Sequence, residues 1–85
     1  MNTNVMKPSL DACEDFKKFI RDYQWTADKD QDMIRMFVED RKDFRKVLSF
    51  YKKGQWKEAA EFARHMDTAA REFIPEKIWE DIQSV

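Results

Sequence analysis

Residues 33–73 read MIRMFVEDRKDFRKVLSFYKKGQWKEAAEFARHMDTAAREF, and this stretch decides the fold. Its first half places Ile34, Phe37, Val38, Phe44, Val47, Leu48 and Tyr51 on one helical face, which Arg41 interrupts. Met33, Met36 and Phe50 lie beside or off that face. Its second half repeats Trp56, Ala59, Ala63, Met66, Ala70 and Phe73 at alternating steps of three and four. Both patterns have the helical period, and Gly54 between them supplies the left-handed stop that ends a helix without steric cost. The spacing predicts helices over 33–53 and 55–73, joined as an antiparallel hairpin. The alanines of the second helix let a neighbour approach closely.

Working outward, Pro8 and Ser9 open an earlier helix, capped by Ser9 or by Asp11 with Glu14 three residues on. Cys13, Phe16, Ile20 and Tyr23 share its apolar face, Phe19 widens that face, and the helix ends near residues 23–25. Residues 26–32 form a polar connection rich in Asp. On the other side, Pro75 breaks the chain and fits the first turn of a short last helix with Ile78, Trp79 and Ile82 on its apolar side. The sequence therefore reads as all-α, a small three- to four-helix bundle built on a long antiparallel helical hairpin. Residues 1–8 read as a flexible N-terminal tail and residues 9–85 as a single helical domain.

Composition narrows the function classes. One Gly and two Pro are too few for a sheet protein. Seven Phe, three Trp and two Tyr supply the apolar area of the core, at about 150–250 Å² per buried ring. Cys13 is the only cysteine, which fits a reducing, cytoplasmic setting rather than a disulfide-stapled fold. No run of about 18 apolar residues signals a membrane span, and residues 1–7 lack the apolar region of a secretory signal.

The motifs that could carry chemistry are weak. Asp28, Asp30, Asp32 and Glu39 occupy the outer ligand positions of an EF-hand calcium loop. The sixth position, which needs glycine for a sharp turn, is Met33, and the residues from Met33 onward follow the helical stripe. These acids read instead as capping a helix N-terminus. His65 has only Glu61 one turn before it, short of the three or four ligands of a transition-metal site. Cys13 sits on an apolar stripe with no activating base placed near it by the local sequence, and Gly54 is too solitary for a phosphate loop. The expectation is a protein that is not an enzyme and has neither metal nor cofactor. The segment Gly54-Gln55-Trp56-Lys57-Glu58-Ala59 resembles the central part of a tetratricopeptide repeat. That resemblance covers one helix–turn–helix, implies a tight helical hairpin, and is followed by no second copy.

Two features point to binding. The first is charge segregation within a chain of net charge −1. Residues 1–40 are net −3, residues 41–57 net +6 and residues 58–85 net −4. Arg41, Lys42, Arg45, Lys46, Lys52, Lys53 and Lys57 are therefore candidate phosphate-binding residues, with Tyr51 and Trp56 placed to stack a base. The second is an aromatic surplus. Trp25, Trp56 and Trp79 fall at or near helix ends, and Met36 and Phe50 lie off the cleanest stripes. These five are the candidate apolar partner-binding residues, because exposed aromatics and methionines are enriched at interfaces. The favoured expectation is a small protein-interaction module, a regulator or inhibitor acting by binding a larger protein or by self-association as a homodimer. The alternative is nucleic-acid or phosphate-ligand binding through the hairpin at 41–57.

Overall fold

A computed structural model describes residues 7–23 and 31–84, the side chains of residues 31–34 excepted. Every regular element among these residues is a helix: α1 (Leu10–Asp22), α2 (Gln31–Lys52), α3 (Trp56–Arg64), α4 (Thr68–Arg71) and α5 (Glu76–Gln83). None is long and apolar enough to cross a membrane. Helices α1 and α3 each pack on both α2 and α5, which closes a ring of four around one core, with the single turn of α4 between α3 and α5. The protein is thus the all-helical bundle that the periodicity predicts.

Ser9 caps α1, its Oγ accepting a hydrogen bond from the Ala12 amide at 3.2 Å. Phe16 and Ile20 are buried beneath that helix and meet Phe44 and Val47 of α2. Full burial of each such side chain contributes about 1.5–3 kcal/mol. Phe16, Phe19, Tyr23 and Phe44 pack as edge-on and stacked rings with centroids 5.2–6.4 Å apart. Contacts between α1 and α2 run in opposite order along the two chains, from Ser9 with Tyr51 to Tyr23 with Asp40, so the helices are antiparallel. Asp40 is buried and accepts from the Tyr23 hydroxyl at 3.3 Å. Burial pushes its carboxyl up from the usual range. Burial, then the Asp40 charge, pushes the Tyr23 phenol up to about 12.

The turn between α2 and α3 is the one glycine anticipates. Gly54 has φ 78°. The Gln55 amide donates to the Phe50 carbonyl at 2.9 Å and the Gly54 amide to that of Tyr51 at 3.1 Å, the two bonds of a Schellman stop. The Trp56 indole Nε1 also donates to the Tyr51 carbonyl, at 3.0 Å, and its ring stacks on Tyr51 at 5.3 Å.

Three expectations need correction. The helix expected over 55–73 is broken. Short amide bonds from His65 to Phe62 and from Met66 to Ala63 close α3, and Asp67 is extended before α4 begins. Asp and Thr favour helix ends over interiors, so Asp67-Thr68 is where the chain bends. The bend keeps Met66 and Ala70 buried but puts Ile74 into the core in place of Phe73, which is 51% exposed. Val38, expected on the buried face, is also exposed. Pro75 occupies the cap of α5 rather than its first turn. The expectations for residues 1–6, for most of the connection at 26–32 and for Asp28 and Asp30 lie outside the described residues, as do those for the side chains of Asp32, Met33 and Ile34. The backbone of 31–39 already belongs to α2, so positions six to twelve of an EF-hand loop are helical here.

The Tyr51 hydroxyl joins three elements. It accepts from the Ser9 amide at 2.8 Å and donates to Asp81 Oδ2 of α5 at 2.6 Å, while Lys77 holds the other Asp81 oxygen at 3.1 Å. Burial, then the bond to Asp81, pushes the phenol up to about 12 from 10.0. Tyr51→Phe leaves the part-buried Ser9 amide and Asp81 carboxylate without this partner, so urea unfolding at pH 7 should show a loss of about 1–3 kcal/mol. Because the folded pKa is raised, the proton-linked part of Tyr51's contribution is complete below pH 10 and is lost as the pH rises through 12. The stability difference between wild type and variant should therefore narrow over that window, and a constant difference would refute the linkage.

Candidate functional site

Charge and shape coincide along the outer side of the α1–α2 pair. Residues 14, 17, 18 and 21 of α1 and 41, 45, 48 and 52 of α2 recur at steps that keep each set on one helical face. The two sets border a groove of about 490 Å³, lined by Lys17, Lys18 and Arg21 on one side and Arg41, Arg45 and Lys52 on the other. Ile20 and Leu48, both nearly buried, form its floor, and Glu14 is the one acid in its lining. A neighbouring hollow of about 470 Å³ shares Arg45, Leu48 and Lys52 and adds Ser49 and Lys53. Among the described residues, no carboxylate lies within ion-pair distance of Lys17, Lys18, Arg45, Lys52 or Lys53. Arg21 meets Asp22 at 3.2 Å, an exposed pair that contributes little.

Arg41 has a structural task in the groove. Its Nε donates to the Ile20 carbonyl and its Nη2 to the Arg21 carbonyl, both at 3.3 Å. These are among the last carbonyls of α1, where helical donors run out; that of Ile20 also accepts the Tyr23 amide at 3.3 Å. The residue that interrupts the apolar stripe of α2 thereby fastens the end of α1 to it.

The candidate phosphate-binding residues separate. Arg41, Arg45, Lys52 and Lys53 reach the groove and its extension. Lys46 lies on the α3 side of α2, its Nζ 5.5 Å from the Phe62 ring centroid, while Lys42 and Lys57 are exposed and outside the groove lining. Sequence segments hid Lys17, Lys18 and Arg21, which lie in a region of net negative charge. Their three- and four-residue spacing beside the stripe of Cys13, Phe16 and Ile20 was the available signal. Tyr51 and Trp56, expected to stack a base, are buried against each other and present no ring to a ligand.

The apolar candidates separate as well. Trp56 is buried because its indole closes the α2–α3 turn. Phe50 is half-buried beside Phe62, with ring centroids 6.3 Å apart. Trp79 is half-buried against the core and lines a hollow of about 580 Å³ beside α4. Met36 is exposed, as are Leu10 and Phe73, and Trp25 lies outside the described residues. Phe73 stacks on Phe19 at 5.5 Å.

His65 stands exposed at the C-terminal cap of α3. Cys13 is buried, and burial raises its thiol. Among the described residues, no group of three or more His, Cys, Asp or Glu side chains could hold a metal ion.

Arg41→Met keeps the aliphatic stem and removes the two donors. The expected outcome is a loss of about 1 kcal/mol and faster amide hydrogen exchange confined to the last turn of α1. Unchanged protection there would show that the guanidinium does not fasten the helix.

No protein-family model matches this chain, and neither a curated protein nor a solved structure is detectably similar to it.

Proposed function

We propose that this chain is a non-enzymatic protein-interaction module that docks on a larger partner by presenting the α1–α2 groove to an anionic surface. The observation that carries the reading is the set of six cations around that groove, facing the single carboxylate of Glu14. Exposed lysines and arginines usually disperse among acids on a helical surface, where pairs are nearly neutral in effect. Here two helices bring one sign of charge to one concavity, in a chain whose total charge is −1. Field lines concentrate in such a concavity, so a local anion is attracted more strongly than the net charge implies. A small regulator or inhibitor acts in this way, by occupying a partner's acidic surface. The free, buried Cys13 suits a reducing compartment such as the cytoplasm.

Self-association is a weaker variant. Trp56 is removed from the surface, and Phe50 and Trp79 are half-covered by the chain's own core. The apolar remainder supports an interface less than the charge does.

The reading is tested on immobilised heparin at pH 7 and low salt. The wild-type chain should be retained despite its net negative charge and should elute with added salt. A Lys17→Glu/Arg45→Glu/Lys52→Glu variant, altered only at exposed positions, should pass through unretained while keeping its helical circular dichroism. Equal retention of the two proteins would defeat the proposal.

A further inference from the structure

Resting on that reading, we infer that the occupant of the groove is an acidic amphipathic helix of a partner protein, its apolar side toward Leu48 and Ile20 and its carboxylates between Lys17, Arg45 and Lys52. The dimensions come first. The basic row on α2 runs from Arg41 to Lys53, and twelve steps at 1.5 Å give a track of about 18 Å, or three to four helical turns. Axes of packed helices lie about 8–10 Å apart, so the trough between two of them seats a third helix about 10–12 Å across. Inside the ring, the opposite side of the α1–α2 pair is covered by α3, which packs on α2, and by α5, which packs on α1.

The chemistry of the lining is also two-part. Its floor is aliphatic, and the walls are lysine and arginine side chains whose methylene stems cover apolar surface while their heads remain in water. A ligand that satisfies both needs apolar residues on one side and carboxylates beside them. That is the pattern of a helix recognised in a groove, with anchors at i, i+3, i+4 and i+7.

A nucleic acid fits less well. Single strands are held largely by stacking on aromatic side chains, and the groove lining contains no aromatic residue. A duplex extends far beyond the groove and would meet the acids of the rest of the chain, where residues 58–85 are net −4. With a Debye length of about 8 Å, a short helix seated in the groove is largely screened from them.

The test is fluorescence anisotropy with three labelled probes at 50 mM and 200 mM salt. The first is a 14-residue Leu/Glu peptide with leucines at i, i+3, i+4 and i+7, the second is its scrambled isomer, and the third is a 14-base-pair DNA duplex. The amphipathic peptide should bind at least tenfold more tightly than either of the others. Arg45→Glu/Lys52→Glu should weaken it tenfold or more, and Lys57→Glu, outside the groove, by less than twofold. Equal binding of peptide and isomer would overturn the helix assignment, and tighter binding of the duplex would replace the protein partner with a nucleic acid. In either case heparin retention would persist, whereas loss of both peptide binding and retention would remove the groove itself as a binding site.

Discussion

Tyr51 engages three neighbours with three parts of one residue. Its hydroxyl bridges the start of α1 and the last turn of α5, its ring stacks on Trp56, and its carbonyl receives both the turn amide and the Trp56 indole. Burying a phenol without partners would cost several times what a typical hydrogen bond contributes. The position is therefore stable only when Ser9, Asp81 and Trp56 all arrive. Together with the shared apolar core, this demand fixes where α1, α3 and α5 stand relative to α2. Arg41 makes the second attachment, at the opposite end of α1. The basic groove lies between the two, so its walls are held at one end by Tyr51 and at the other by Arg41, itself one of the six groove cations.

Much of the fold was legible because apolar spacing and stop signals agreed. Gly54 marked the hairpin, Ser9 marked the start of α1, and Cys13, Phe16 and Ile20 marked its buried side. The break at 65–67 was not legible because the spacing of buried residues survives it. Ala63, Met66 and Ala70 all remain in the core whether or not the helix is continuous between them. Only Asp67-Thr68 hinted at the bend, and cap-forming residues occur within helices often enough to be overlooked. The exposure of Phe73 follows from that one displaced turn.

The groove was half legible. Counting charge by segment isolated residues 41–57, which include Arg41, Arg45, Lys52 and Lys53, but it assigned the basic surface to that hairpin alone. Helices sort charge by face, not by segment. Lys17, Lys18 and Arg21 stand among acids in the sequence and yet point to the same side. Trp56 misled for a related reason. An aromatic at a helix end is available to a partner or to the turn beside it, and the Trp56 indole found a carbonyl five residues back.

The tight turn at Gly54 also orders the assembly of the chain in time. Loop-closure entropy favours contacts between residues close in sequence, and the Tyr51 carbonyl and ring meet a tryptophan only five positions away. The hydroxyl of the same residue must wait for Ser9 and Asp81, 42 and 30 positions distant. One side chain thus belongs to both the first step and the last: the hairpin closes around its backbone and ring, and the outer helices lock when its oxygen finds them.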